Sequence, residues 1–385
     1  MPEDDRLRAD SNVYIVGIGV SVPAGLPMLD RFLAVARRHL EYSQSGLGSI
    51  FEGTRSESEI FRSVLEYVQS RALELEALGQ SPKNLEHVFD LLREEGAVSS
   101  LGGERRKQLA SVDRDLVYTI IRTCELCEQQ HRLDRPMISL PGGVEHCTLY
   151  AGFARLLREN DTVISFNYDL LLEQGLISMN LQPDYPIPEE RVVPIGERWP
   201  NNWPKRKLLK LHGSANWMEC ENSDCRHIHL HTDVFNNTSG HVLDKHCHGC
   251  HKDVGLRFVM VPPVQRKQEL DSQENSVLEY ILNTAIERVR TAAHVFVIGY
   301  SCPPSDESGS AFVELLSRGL RANSNKPDAI VVNPNAEHAE RVQHILKQHC
   351  PNTDLQVVTA TSDNPNRGKF ENFINSEEGR ALMGR

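Results

Sequence analysis

The chain has 385 residues, of which 39% are hydrophobic and 25% charged, so it is long enough for a large core and for two structural units. Its net charge of −11 argues against general nucleic-acid or anionic-membrane binding, and no apolar run approaches the roughly 20 residues that span a bilayer. The acidic, polar N-terminus is unlike a secretory signal, and nine cysteines without one fit reduced thiols, metal ligands or catalysis, which predicts a cytoplasmic protein.

The first predicted element is a buried strand at residues 13–16, of the kind found in parallel sheets. It runs into a segment with small residues at Gly17, Gly19, Ser21 and Gly25. A helix is predicted for residues 26–40. Glycines let a backbone approach a phosphate, but Val22 holds the sixth position of the dinucleotide pattern G-x-G-x-x-G. The segment therefore fits either a phosphate-binding loop or a plain tight turn.

Residues 57–130 then show helical periodicity without a strand candidate, which predicts a helical insertion at residues 46–145. Gly102-Gly103 is a predicted joint within it, and Pro141-Gly142-Gly143 is another near its end. Cys124 and Cys127 are spaced as C-x2-C, but in a helical pattern packed side chains are the simpler interpretation.

Strands and helices alternate in the rest of the chain. The strands are predicted at residues 162–166, 208–211, 258–261, 294–301, 329–335 and 355–359, and helices follow most of them. This order predicts an α/β fold with a doubly wound, parallel, Rossmann-like sheet, formed by residues 12–45 and 146–375. Such sheets bind ligands beyond the carboxyl ends of their strands.

Polar residues follow successive strands at those ends. Asn167 and Asp169 follow the second strand, and Asp169 fits either a helix cap or a group that orients Asn167. His212 ends the third strand, before a predicted turn at Gly213 and Ser214, and is either structural or an acid–base group. The later strands end at Gly299, Ser301 and Asn333. Because polar residues recur at the ends of successive strands, we predict that they form one site.

Paired cysteines form a second group of candidate functional residues, in a module at residues 217–257. Cys220 and Cys225 form C-x4-C, and Cys247 and Cys250 form C-x2-C after a gap of 21 residues. Four thiolates at this separation suit a structural zinc in a zinc-ribbon-like module, with a closed coordination sphere. Nearby histidines leave the ligand set open: His227, His229, His246, His248 and His251.

Taken together, these motifs resemble the sirtuins, and among them the divergent bacterial sirtuin-like NAD-consuming proteins of antiphage defence. The resemblance rests on GIGVSVPAGLP, SFNYD, KLHGSANW, the paired cysteines, VIGYS and VVNPN, which occur in family order. It covers residues 12–45 and about 150–360, interrupted by the helical insertion.

The resemblance implies that NAD is the substrate and lies across the strand ends, and that the four cysteines hold a structural zinc. It implies catalytic roles for His212, Asn167 and Asp169. The residues that it implies as NAD-binding are Gly17, Gly19, Ser21, Gly25, Pro27, Asn167, Gly299, Ser301 and Asn333.

Two departures from the protein-deacylase pattern favour hydrolysis of NAD itself. Deacylases of the family follow the glycine turn with Asp-Phe-Arg, where this chain has Met28-Leu29-Asp30. They also carry a peptide-docking segment ending in Phe-Gly-Glu, where this chain has FVMVPPVQRK with Pro262, Pro263 and Lys267.

The predicted function is therefore an NAD hydrolase that releases nicotinamide and ADP-ribose, as an antiphage effector that depletes cellular NAD. The helical insertion is the candidate for contacts in a homo-oligomer or for a gate, and the resemblance implies a HerA-type ATPase or another defence protein as a partner. The alternatives are an NAD-dependent protein-lysine deacylase and a non-catalytic assembly subunit that binds NAD or ADP-ribose.

Overall fold

A seven-stranded sheet in which all strands run parallel forms the centre of the computed structural model. In spatial order its strands are β13 (Leu355–Val358), β12 (Asp328–Val332), β11 (His294–Ile298), β1 (Asn12–Val16), β4 (Thr162–Ser165), β7 (Lys205–Lys210) and β5 (Gln182–Asp184). The structure describes residues 11–28, 30–43, 57–98, 102–134, 138–139, 145–146, 148–235, 246–261, 276–302 and 310–384. The predicted doubly wound parallel sheet is confirmed.

Alternate residues of the central strands point to opposite faces of the sheet and build two hydrophobic cores. On β1, Tyr14 and Val16 belong to one core, whereas Val13 and Ile15 belong to the other. Both sets are at most 1% exposed, so the strand is buried on both faces. This explains why the strand is a continuous apolar run in the sequence without polar alternation.

Helices cover the two faces of the sheet. The α-helices are α1 (Phe32–Ser43), α2 (Glu57–Ala77), α3 (Leu85–Gly96), α4 (Gly103–Asp134), α5 (Thr148–Leu156), α6 (Leu171–Ser178), α7 (Ser276–Thr291), α8 (Ala311–Glu314), α9 (Ala336–His349), α10 (Phe370–Asn375) and α11 (Glu377–Leu382). A π-helix at Leu315–Gly319 continues α8. In the part of the chain that the structure describes, no helix has the length and apolar character needed to cross a membrane.

The first helix begins at Phe32, six residues later than predicted, since two short 3-10 turns come first: Ile18–Val20 and Val22–Ala24. Gly25 ends the second turn in the left-handed conformation, with φ 84°. Pro27 then disfavours helical backbone at Leu26, the residue before it. Local backbone chemistry therefore overrides the apolar periodicity here.

The helical insertion packs onto the sheet. Apolar residues of α2, α3 and α4, such as Val64, Phe89 and Ile120, belong to the same core as Tyr14 and Val16. A small antiparallel pair, β2 (Ile138–Ser139) and β3 (Glu145–His146), lies near its end and was not predicted. The predicted joint at Pro141-Gly142-Gly143 lies outside the described residues, and the predicted domain limits stay predictions.

A second sheet of four strands was missed by the sequence analysis. Its spatial order is β10 (Leu256–Met260), β8 (Gly213–Cys220), β9 (Ile228–His231) and β6 (Val192–Ile195). The strand predicted at residues 258–261 was wrongly placed in the parallel sheet, because it pairs antiparallel with β8. The turn predicted at Gly213 and Ser214 was also wrong, since both residues begin β8.

Replacing Gly213 by alanine is expected to destabilise the protein by about 2 kcal/mol or more. Gly213 has φ +83°, and a Cβ there would lie 1.8 Å from the Val259 carbonyl oxygen. Thermal or urea unfolding measures the change. Gly152→Ala is the matched control, because nothing lies within 4 Å of a Cβ in that helical position. That control is expected to be neutral or slightly stabilising, and equal stabilities of the two variants would refute the prediction.

Candidate functional site

A cavity lies at the carboxyl ends of β1, β4, β7 and β11. The strand order reverses at this point of the sheet, because β4 lies on one side of β1 and β11 lies on the other. This is the position at which open parallel sheets bind ligands. The sequence-predicted site residues that line it are Gly17, Pro27, Asn167, Asp169, His212 and Ser301. The structure therefore brings together candidates that are up to 284 residues apart in the sequence.

The loops after β1 and β11 are held in backbone contact by their glycines. The Gly19 N–H donates to the Gly299 carbonyl oxygen at 2.9 Å. A Cβ on Gly19 would lie 2.7 Å from Gly299 Cα, and one on Gly17 would lie 2.7 Å from Tyr300 Cα. Close loop packing therefore requires these glycines, whether or not a phosphate binds beside them.

The Asn167 side chain is fixed by the loop after β1. Its Nδ2 donates to the Gly17 carbonyl oxygen and to Ser21 Oγ, each at 2.9 Å. The carbonyl oxygen only accepts, so the amide nitrogen must face it. Both amide hydrogens are used in these bonds. The group that Asn167 offers to a ligand is therefore its acceptor, Oδ1.

Asp169 is held by hydrogen bonds on both of its carboxylate oxygens. Oδ2 accepts the Ser21 hydroxyl at 2.7 Å, and Oδ1 accepts the Leu171 N–H at 3.3 Å, in the first turn of α6. Asp169 precedes the N-cap residue of α6, Leu170, so it is not the cap itself. It orients Ser21, which in turn orients Asn167. Its contacts make it a positioning group.

A buried ion pair lies beneath this loop. Lys210 Nζ is 3.0 Å from Glu173 Oε1, and these side chains are 1% and 0% exposed. Lys210 Nζ also donates to the Asp169 carbonyl oxygen at 2.5 Å. Burial raises the pKa of Glu173, and the attraction of Lys210 opposes that rise. The pair connects β7, α6 and the Asp169 loop.

His212 follows β7 and is half-buried among aromatic rings. Its ring lies edge-to-face against Phe166 at 5.0 Å and near Tyr168 at 6.2 Å, measured between ring centroids. Phe166 also stacks on Tyr300 at 4.7 Å. These aromatic side chains were not singled out from the sequence, although each lies next to a residue that was. They place aromatic rings beside the histidine.

Other predicted binding residues hold the loops without lining this cavity. Ser21 donates its N–H to the Ile18 carbonyl oxygen and its hydroxyl hydrogen to Asp169. Asn333 Nδ2 donates to the Tyr300 carbonyl oxygen at 3.1 Å. The predicted residues outside the cavity lining are Gly19, Ser21, Gly25, Gly299 and Asn333. Their contacts with NAD stay predictions.

The helical insertion builds one wall of the cavity, which the sequence analysis did not predict. Its lining residues are Leu85, Glu86, Ile120 and Cys124. Burial and the nearby Asp169 carboxylate raise the pKa of the Cys124 thiol well above its usual value, so it is neutral. Periodicity identifies the buried face of a helix but not the loop that it meets.

Glu128 of the insertion also bonds the start of α6. Its Oε1 accepts the Leu170 N–H at 3.2 Å, and its Oε2 accepts Gln174 Nε2 at 2.6 Å. Glu128 is 4% exposed, so this carboxylate is buried. The loop that carries Asn167 and Asp169 is therefore held from the sheet side by Lys210 and from the insertion side by Glu128.

The paired cysteines meet at one end of the second sheet. Two of their Sγ–Sγ distances are 3.9 Å (Cys220–Cys250) and 3.6 Å (Cys225–Cys247), and the four sulfurs lie within 4.8 Å of one another. A tetrahedral zinc with Zn–S bonds of about 2.3 Å requires sulfurs roughly 3.8 Å apart, so the four cysteines fit this ion. His227 Nδ1 and His229 Nε2 lie 2.9 and 3.3 Å from cysteine sulfurs and fit hydrogen-bonding partners of the ligands.

None of the described cysteines forms a disulfide. Cys220 ends β8, and Leu256 of β10 pairs with it in the sheet. A zinc held here would fix one end of the antiparallel pair of β8 and β10. At the other end of this pair, Val261 accepts a hydrogen bond from the Tyr168 hydroxyl and donates one to the His212 carbonyl oxygen. The cysteine module and the cavity therefore share β8 and β10.

No family profile and no curated protein matches the sequence. Structural comparison matches Sir2 enzymes, the family that the sequence motifs resemble. A structure from work on the mechanism and regulation of Sir2 enzymes aligns with 100% of this chain and 98% of its own, at 14% identity and TM-score 0.40. Sir2 with a p53 peptide and NAD⁺ aligns with 90% of this chain and 98% of its own, at 13% identity and TM-score 0.35.

Removing one partner of the buried ion pair is expected to cost far more stability than removing both. Lys210→Met leaves the Glu173 carboxylate buried without its cation and should destabilise the protein by about 3–5 kcal/mol. The double variant Lys210→Met/Glu173→Leu should recover part of that loss. Denaturant unfolding of the two single variants and the double variant measures the coupling, and additive losses would contradict the prediction.

The purified protein is expected to contain one equivalent of zinc. Cys247→Ser should lower the zinc content and the thermal stability, because Cys247 is one of the clustered thiols and is fully buried. Cys350→Ser is the control, since that buried cysteine bonds the Leu316 carbonyl oxygen away from the cluster. Elemental analysis decides the outcome: equal zinc in both variants would exclude the four-cysteine site.

Proposed function

We propose that the protein hydrolyses NAD to nicotinamide and ADP-ribose. The observation that carries the proposal is the fixed Asn167 side chain, which offers its Oδ1 in a cavity that His212 also lines. An acceptor and an imidazole beside one cavity suit a reaction in which a sugar hydroxyl or water is held and a proton is removed.

In this reaction the bond between C1′ of the ribose and N1 of the nicotinamide ring breaks. The bonding electron pair moves to N1, so the pyridinium ring departs as neutral nicotinamide and leaves an oxocarbenium-like sugar. The oxygen of one water bonds to C1′. His212 accepts the proton that this water loses, and ADP-ribose results.

The remaining residues of the cavity have supporting roles in the proposal. Asn167 Oδ1 accepts a hydrogen from a ribose hydroxyl or from the attacking water. Asp169 and Ser21 hold that amide in one orientation, so the amide does not have to reorient during the reaction. The rings of Phe166 and Tyr300 keep bulk water away from the sugar.

Zinc has a structural part in the proposal. The thiolates of Cys220, Cys225, Cys247 and Cys250 would hold the ion and stabilise the end of β8 and β10. Four protein ligands close the coordination sphere of a structural zinc, so the ion would not contact the substrate.

The biological part of the proposal is an effector that depletes NAD in the cytoplasm during antiphage defence. Its support is the sequence resemblance to defence-associated sirtuins. An enzyme that consumes an essential metabolite needs control, and a homo-oligomer or a partner such as a HerA-type ATPase would provide it. The helical insertion is the proposed site of control, because it forms one wall of the cavity.

Protein-lysine deacylation is the rival reaction at the same site. Of the segment whose sequence argues against it, residues 262–267, with Pro262, Pro263 and Lys267, lie outside the described residues. Product analysis therefore has to separate the two reactions.

Purified protein incubated with NAD is expected to release equal amounts of nicotinamide and ADP-ribose, as resolved by chromatography. His212→Ala and Asn167→Ala should each lower the rate at least about 100-fold, because each removes a group that acts on the sugar or water. His294→Ala is the control, since His294 is at the opposite end of its strand from the cavity.

A parallel incubation contains an acetyl-lysine peptide. Nicotinamide that appears only when the peptide is present, in an amount equal to that of the deacetylated peptide, would establish a deacylase. Bound but unchanged NAD would point to a binding subunit or to a missing activator. A protein with no affinity for NAD would overturn the proposal.

A further inference from the structure

Tyr168 lies between Asn167 and Asp169 in the loop after β4 and bonds in a different direction from both. The side chains of Asn167 and Asp169 bond the loop after β1, at Gly17 and Ser21. Tyr168 is directed to the second sheet, and it also lines the cavity. These three consecutive residues are therefore held from two sides.

Two hydrogen bonds attach Tyr168 to the second sheet. Its backbone carbonyl oxygen accepts the N–H of Ala215 on β8 at 2.9 Å. Its hydroxyl donates to the carbonyl oxygen of Val261, the residue after β10, at 2.6 Å. Tyr168 also packs against a small buried cluster that includes Ala215, and Phe258 and Met260 of β10 pack against the same cluster. The second sheet thus fixes both the backbone and the side chain of Tyr168.

Val261 connects Tyr168 to His212. Its carbonyl oxygen accepts the Tyr168 hydroxyl, and its N–H donates to the His212 carbonyl oxygen at 2.9 Å. Val261 is buried, and the ring centroids of Tyr168 and His212 are 6.2 Å apart. One residue therefore bonds both the neighbour of Asn167 and the backbone of His212.

This connection begins where the parallel sheet ends. The pairing of β4 with β7 reaches Ser165 and Lys210, and the Leu211 N–H adds one more bond to the Ser165 carbonyl oxygen. Beyond that point the bonds through Tyr168 and Val261 continue the connection between the two loops. They hold the loops at the level where Asn167 and His212 line the cavity.

We infer that Tyr168 is a positioning residue whose hydroxyl sets the place of Asn167 relative to His212 through Val261. The inference rests on the proposed function and adds the second sheet to it. Hydrolysis requires the amide oxygen, C1′ of the ribose and the imidazole to be aligned at the same time. Without the hydroxyl both groups are still present but are less accurately aligned, so the reaction slows more than NAD binding weakens.

Tyr168→Phe tests the inference, because it keeps the ring and removes the hydroxyl. The kcat for NAD hydrolysis is expected to fall about tenfold, whereas KM stays within about twofold of the parent value. Replacement of Tyr168 by para-aminophenylalanine, which offers an N–H donor in place of the hydroxyl, should restore most of kcat. Tyr280→Phe is the matched control, because Tyr280 is 53% exposed on α7, and it should keep both parameters.

Hydrogen–deuterium exchange of the full chain gives a readout that does not depend on turnover. In Tyr168→Phe, the peptides that contain Ala215 and Val261 are expected to exchange at least about fivefold faster. The reason is that the Ala215 N–H bonds Tyr168 itself, and Val261 loses the bond that holds its carbonyl group. Peptides from helix α9 should exchange as they do in the parent.

The outcomes separate the two proposals. A folded Tyr168→Phe variant that keeps the parent kcat, or whose loss the N–H donor does not restore, overturns the role of Tyr168 and leaves the hydrolase proposal intact. Faster exchange throughout the protein, or a variant that does not fold, assigns the hydroxyl to overall stability and overturns the role as well.

A parent that binds no NAD overturns the hydrolase proposal, and the role of Tyr168 with it. In a parent that binds NAD without turning it over, the exchange of the two peptides decides the role of Tyr168.

Discussion

The buried ammonium group of Lys210 is the interaction on which the arrangement of the cavity depends. It bonds the Asp169 carbonyl oxygen and pairs with Glu173, so one side chain joins strand β7, helix α6 and the loop between β4 and α6. A charge in this position is tolerated because it has close partners, and it would be strongly destabilising without them. His212 is two residues after Lys210 in the chain. The residue whose cation supports the loop of Asn167 and Asp169 therefore also helps to position the histidine at the end of β7.

Above this cation, a chain of hydrogen bonds connects two loops that are about 150 residues apart in the sequence: Gly17 to Asn167, Asn167 to Ser21, and Ser21 to Asp169. Most polar groups at the strand ends are used in this chain or in loop contacts. The few groups that act on the ligand in the proposed reaction are Asn167 Oδ1 and the His212 imidazole. The remaining polar groups keep those few in place, which is what a site for accurate positioning of a sugar requires.

The parallel sheet was predictable because its strands are buried on both faces and appear as separate apolar runs between helices. The second sheet was not, and β8 shows why. All eight of its residues are buried, yet they include Ser214, Asn216 and Glu219, so neither an apolar run nor an alternating pattern marks the strand. The start of α1 was misplaced for a different reason, since Gly25 and Pro27 act on the backbone directly and outweigh the periodicity of the side chains that follow.

The sequence by itself determined which residue types end the parallel strands and which cysteines are spaced as metal ligands. Parallel strands bring their carboxyl ends to one edge, so Asn167, Asp169 and His212 could be assigned to one site before any coordinates were known. Tertiary structure alone decided that Ser21 accepts a hydrogen bond from Asn167 and that Lys210 donates one to the Asp169 carbonyl oxygen. It also decided that residues of the insertion lie around the cavity: Glu86, Cys124 and Glu128. These contacts join residues at least 40 positions apart, and they depend on how helices and loops pack, which the local pattern of a sequence does not specify.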